Sequence, residues 1–248
     1  MSSSCLHCTT LTTEKYCPNC GQKSTTHRYS IQHFIEHDFI HGVFHVDKGI
    51  LFTLKELFTR PGHSIREYIQ GKRATHFSFI TFLLLILTIT ALMAPYSNVK
   101  ISDLIPSSSK AVMNSFEKFT TQYPKLMLAI TIPINSIFSY LWFRKAKFNY
   151  SEHLVANSYK AVAELIVSLV FAVLMIIYSN VKVLMFIYFG VVTPLIYLYD
   201  IWYYYQMFSV YYKTKKELFL RSFMVVFSYT FLIVLVGFFF GIMEGLKR

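Results

Sequence analysis

Five long apolar stretches, at about 77–95, 125–143, 154–179, 183–205 and 222–243, constrain this chain more than any other feature. Each is close to the roughly 20 residues a helix needs to cross the hydrocarbon core of a bilayer. Lipid offers peptide groups no hydrogen-bond partner, so runs of this length that cross it must be helical. Only 15% of the residues are charged and 54% are hydrophobic, where a soluble domain carries roughly a quarter charged residues. The expected fold is therefore an all-α polytopic membrane protein with about five transmembrane helices, over 77–248. Pro133 and Pro194 fall inside the second and fourth stretches and are expected to kink them. Residues 179–182 are short enough to make the third and fourth an antiparallel hairpin.

Residues 1–23 are different in kind. All four cysteines lie there, as Cys5-Leu-His-Cys8 and Cys17-Pro-Asn-Cys20-Gly21. Two such turns each lend two thiolates and converge on one tetrahedral Zn²⁺, a closed and structural site with no open coordination position. Gly21 suits the second turn, where backbone N–H groups crowd towards sulfur. His7 is expected to be a bystander. A disulfide framework is the alternative reading; the paired spacing and a reducing compartment favour metal. The polar opening has no apolar run before about residue 77, so no cleavable signal is expected.

Charge sets the expected orientation. With the N-terminus inside, 1–76, 144–153 and 206–221 face inward and hold sixteen of the 24 Lys and Arg residues, while the outer segments hold seven. The positive-inside rule and the thiolates agree on a cytoplasmic N-terminus, an outer C-terminus and the cell inner membrane. The net charge of +11 is spread over loops with no accompanying nucleic-acid motif, so no nucleic acid is expected as partner. No phosphate-cradling glycine loop, nucleophile elbow or HExxH motif is present.

Between ribbon and bundle, 24–76 reads as a linker followed by amphipathic interfacial helices. Apolar residues recur at helical spacing over 31–58. Thr59-Arg60-Pro61-Gly62 reads as a stop, with Ser64 capping a short helix over 65–70. Arg60, Arg66, Lys72 and Arg73 are candidate contacts to lipid phosphate or a protein partner. His33, His37, His41 and His45 recur every fourth residue, as a metal or pH-sensing ladder or simply as imidazoles suited to a headgroup layer.

On the third span His153, Asn157, Lys160 and Glu164 share one stripe, with Lys160 and Glu164 spaced to pair. Asp200 on the fourth span and Asn135-Ser136 beside Pro133 add polar groups at similar depth. With His45, Asp47 and Glu152 they form a candidate functional polar cluster: an ion path or substrate pocket on one reading, an interhelical clamp on the other. The tyrosines and tryptophan over 197–212 read as an interfacial aromatic belt.

Residues 44–73, FHVDKGILFTLKELFTRPGHSIREYIQGKR, resemble a bacterial membrane family called domain of unknown function 3667. Its members pair an N-terminal CxxC…CPxCG ribbon with an H-x-D-x-G…RPG…Y-x-x-GKR stretch. That stretch is matched here by His45, Asp47, Gly49, Thr53, Leu57, Arg60, Pro61, Gly62, Tyr68, Gly71, Lys72 and Arg73. Tyr150-Ser151-Glu152-His153-Leu154 resembles the family's acidic-His element. The resemblance implies architecture and no chemistry. The expected role is a non-enzymatic scaffold or adaptor that binds a cytosolic or membrane protein, or anionic lipid. A small transporter or channel built on the polar stripe is the alternative.

Overall fold

The computed structural model describes residues 3–24, 26, 28–30, 49–99, 101–104 and 123–245. The His33, His37, His41 and His45 ladder and Asp47 lie outside the described residues, as does most of the loop after the first apolar helix. Two short strands, β1 (Ser3–Ser4) and β2 (Leu11–Thr12), pair antiparallel in the cysteine ribbon. Helices α1 (Gly49–Thr59) and α2 (Pro61–Ile69) form a collar. The bundle is α3 (Phe79–Met93), α4 (Pro124–Trp142), α5 (Tyr150–Ile177), α6 (Val181–Phe208) and α7 (Lys215–Gly245).

Four of the bundle helices are long and apolar enough to cross a membrane, α3 together with the 3-10 turn that carries it to Tyr96; α4, whose apolar stretch Leu126–Trp142 is shorter, occupies the place of the expected second span. Much of their apolar surface is exposed, with Ile177 at 77%, Phe186 at 71% and Val234 at 63%. So large an apolar exterior suits lipid as its solvent. Helix α5 is the hub, packed between α3 and α4, while α7 closes the bundle against α6 and α4. The helices alternate in direction, so the loops over 143–149 and 209–214 meet the ribbon and collar at one end. Arg28 to the Lys147 carbonyl and Gln70 to Tyr211 record that meeting.

The collar differs from its sequence reading. Helix α2 begins at Pro61 rather than 65, because proline at the first helical position costs no hydrogen bond and presets φ. Ser64 is inside the helix, and its Oγ lies 2.8 Å from His76 Nε2. Gly62 marks where α2 crosses α6: a Cβ there would sit 2.2 Å from the Met207 nitrogen and 2.3 Å from the Tyr203 carbonyl oxygen. Only a bare Cα allows so close a crossing.

Helix α6 is continuous across Pro194 by way of a π turn over Tyr188–Val192. The wider turn accommodates a residue without an N–H, and the Thr193 hydroxyl and N–H both bond the Tyr188 carbonyl. The aromatic belt is also corrected in part. Tyr197 is 41% exposed and Trp202 36%, but Tyr203 and Tyr204 are buried. Their hydroxyls point inward to α5, donating to the Ala156 carbonyl and to Asn157 Oδ1. Tyr199 donates to the Leu57 carbonyl. These rings tie helices together instead of marking an interface.

Candidate functional sites

The ribbon is two copies of one turn. Cys5 N–H donates to Thr10 O and Thr9 N–H to Cys5 O; Cys17 N–H donates to Gln22 O and Gly21 N–H to Cys17 O. Each turn closes on a left-handed residue, Thr9 at φ 62° and Gly21 at φ 73°. The β1–β2 pair flanks the first turn, and a Tyr16–Lys23 bridge flanks the second. This twofold repeat brings all four thiols within 4.8 Å of one another. Cys5 and Cys20 sulfurs are 3.6 Å apart, Cys8 and Cys17 sulfurs 3.5 Å. A tetrahedral ion with about 2.3 Å bonds to sulfur needs edges of about 3.8 Å. The donor set therefore fits a metal ion with adjustments of at most about 1 Å in any sulfur–sulfur edge. The Thr10 hydroxyl beside Cys8 pulls that thiol down to about 5, while burial pushes Cys20 up to about 12. A cation bound by these thiols would favour the thiolate form of each of its ligands.

The ribbon is fixed to the collar. The buried Gln22 side chain donates to the Gly71 carbonyl at 2.8 Å and accepts from Arg73 and Ala74 N–H groups at 3.0 and 3.3 Å. Gly71, at φ 115°, lies under Leu6 of the first turn; a Cβ there would come 2.6 Å from Leu6 Cδ1. Of the positions that carry the family resemblance, Gly71 and Arg73 take part in this junction, and others pack the collar against the chain that follows it. Gly49 packs on the 75–77 backbone, the Thr53 hydroxyl accepts from Phe77 N–H at 2.7 Å, and Leu57 is fully buried.

The four basic candidates are all engaged within the protein. Arg60 pairs with Glu56 and Glu67, and Lys72 with Glu67. Arg66 is 9% exposed and donates to the Gln206 and Met207 carbonyls at 2.9 and 3.0 Å. A cation there completes the C-terminal end of α6, whose last carbonyls lack helical donors. Arg73 stacks on Tyr29, 3.9 Å from the ring centroid. Burial pushes His76 down to about 4, and burial with Arg66 nearby lowers His63, so both imidazoles are neutral at pH 7.

The remaining candidates separate into three groups. Glu152 is the third residue of α5 and closes a capping box with Asn149, each bonding the other's backbone N–H at 2.8 Å. It also pairs with Arg28, whose charge it reinforces. His153 Nδ1 lies 2.8 Å from Ser139 Oγ, which accepts from Asn157 Nδ2 at 3.0 Å; Asn157 Oδ1 accepts from Tyr204. Ser139 and His153 are 0% and 1% exposed, and aromatic rings of Tyr140, Phe148 and Phe208 surround the imidazole. Buried and with its members at bonding distance, this group clamps α4, α5 and α6 together. Lys160 bonds Glu164 on its own helix and, at 2.9 Å, Asp200 on α6.

Sequence reasoning overlooked Gln22, Arg28, Asn149 and Ser139, and read Tyr204 only as part of the aromatic belt. Asn149-x-x-Glu152 was the one local signal available, a capping box at the head of an apolar run. The other four act across the fold, where spacing carries no information. Beside them, Leu6, Arg28, Gln70, Lys147, Phe148 and Tyr211 line an open cleft of about 340 Å³ between ribbon and bundle.

Fold and site together define a multi-pass, membrane-type helical protein with an N-terminal four-cysteine cluster. Residues 47–91, the collar and first apolar helix, match the family described as Protein of unknown function (DUF3667). No curated protein and no solved structure matches the chain.

Proposed function

We propose that this chain is a membrane platform: a helical bundle that holds a structural zinc ribbon at a fixed place for a cytosolic or membrane protein partner or anionic lipid. The observation that carries the reading is the Gln22 junction, which fastens the ribbon to the collar instead of leaving it on a tether. The ribbon exposes Leu11 and Tyr16, 72% and 53%, and Lys15 and Lys23 lie beside Tyr16. Exposed apolar side chains set among cations suit a partner of mixed apolar and acidic character. The free thiols and the inner excess of Lys and Arg favour the cytoplasmic face of a bacterial inner membrane.

Metal analysis of the purified chain is expected to give one zinc per chain, lost in Cys17→Ser/Cys20→Ser. Capture from native membranes is expected to recover a reproducible partner that Leu11→Asp/Tyr16→Asp abolishes while zinc is retained. An identical captured set with wild type and variant would defeat the platform reading.

The buried ions of α5 and α6 favour a second reading, a small transporter or channel. Ion flux in proteoliposomes that survives Glu164→Gln unchanged counts against it.

A further inference from the structure

The buried charges of the bundle do not balance. Lys160 is 2% exposed, and its Nζ bonds two carboxylates, Asp200 Oδ2 and Glu164 Oε1. If both carboxyls are ionised, the cluster carries one surplus negative charge between two helices of spanning length. A net charge away from water is much more costly than a neutral ion pair. A second deficit falls on the same residues. Asp200 is 8% exposed, and among the described residues its buried Oδ1 has no hydrogen-bond donor.

The neighbours repair neither deficit. Tyr199, Tyr203 and Tyr204 on α6 surround the cluster, and their hydroxyls donate to the Leu57 carbonyl, the Ala156 carbonyl and Asn157 Oδ1. Tyr229 on α7 is near enough to feel the cluster's charges, but it does not donate to the buried Asp200 Oδ1. Helix α3, packed along α5, has no ionisable side chain, and Tyr140 of α4 packs against His153. His153, on α5 itself, is held by Ser139.

A missing donor and a missing positive charge are together one missing proton. The Glu164 and Asp200 carboxyls converge on the one Lys160 ammonium, an approach of two like charges that is favourable when a proton is held between them. Glu164, with 29% of its side chain exposed, is the member that reaches the bundle surface.

We propose that Lys160, Glu164 and Asp200 form a proton-binding site in which the two carboxyls share one exchangeable proton against the lysine ammonium. The site goes beyond the platform reading, and for the transport reading it names the ion.

Infrared spectroscopy of the full chain in lipid nanodiscs at neutral pH counts protonated carboxyls through their C=O stretch. Wild type is expected to show one buried protonated carboxyl per chain, shifted in D₂O and by ¹³C-labelled Asp or Glu. Glu164→Gln and Asp200→Asn are expected to show none, because Lys160 then faces a single carboxylate. Lys160→Met is expected to show two. Absence of the band in wild type overturns the proposal, as does a band that neither label moves. A band that fades on adding sodium at constant pH overturns it too, by assigning the site to a metal cation. The labels read the wild-type chain, so a variant that fails to fold does not decide the matter. A proton band without ion flux retires the transport reading alone.

Discussion

The two ends of the bundle are built by different rules. At the ribbon end, Leu57, Ile65, Val155, Tyr159, Tyr203, Met207 and Phe208 are fully buried, and the rings of Phe143 and Phe208 stack at 3.9 Å. Side chains there bond across helices: Tyr204 to Asn157, Ser139 to His153, and Arg66 to the end of α6. At the other end a small cluster of Val99, Leu104, Phe171, Met175, Leu184 and Val192 suffices. Polar bonds at that end, such as the Asn180 cap on α6 and Thr193 on its own helix, are local. Lipid tails are as apolar as leucine, so apolar character alone does not tell membrane helices where to sit. Close crossings and satisfied polar groups do, and they are concentrated beside the ribbon.

The largest expected effect breaks that end at its tightest crossing. Gly62→Val has no room beside the α6 backbone, so α2 must lift off. Overpacking typically costs about 1–3 kcal/mol, and a clash with unyielding backbone belongs at the upper end of that range. Gly237 on α7 is the control, since a Cβ there meets nothing within 4 Å. Gly237→Ala is expected to leave stability unchanged or raise it by up to about 1 kcal/mol through helix propensity. Thermal unfolding in detergent checks both; equal losses would erase the distinction between the ends.

A smaller effect sharpens the comparison through protons. His76 is half-buried at the ribbon end and its imidazole is pushed down to about 4, against about 6.5 in the unfolded chain. Between those values the unfolded state binds more protons. Stability is therefore full above about pH 6.5 and falls as pH drops towards 4, by at most about 3 kcal/mol. His76→Gln is expected to flatten the pH dependence of the melting temperature relative to wild type. Parallel pH profiles for the two proteins would show that His76 contributes nothing to it.

Much of the architecture was legible because lipid imposes a length and a composition on any helix that crosses it. The cysteine spacing was legible because both turns are local. The roles of Arg66, Tyr203 and Tyr204 were not. A basic residue near a membrane and a tyrosine near a helix end each have a common surface explanation, and only tertiary packing turns them inward. Lys160 and Glu164 could be paired from their spacing, whereas Asp200 joins them from 40 residues away. The geometry, and not the pattern, raises the question of their charge balance.

The smallest expected effect lies in the ribbon, where two copies of one turn differ at a single conformational requirement. Thr9 holds φ 62°, where a β-branched residue is strained, while its twin Gly21 holds φ 73° without penalty. The Thr9 hydroxyl donates to the Cys8 carbonyl at 2.6 Å, a local bond that offsets part of the strain. Left-handed geometry costs a side-chain-bearing residue about 1–2 kcal/mol, and glycine returns about half of that through its greater unfolded-state entropy. Thr9→Gly is therefore expected to stabilise the metal-loaded ribbon by about 0.5–1 kcal/mol, read as a few-fold greater resistance to chelator. Gly21→Ala meets no neighbouring atom, so any weakening it causes reports backbone strain alone. If the two substitutions move metal retention in the same direction, the turns are not equivalent and the twofold description of the ribbon fails.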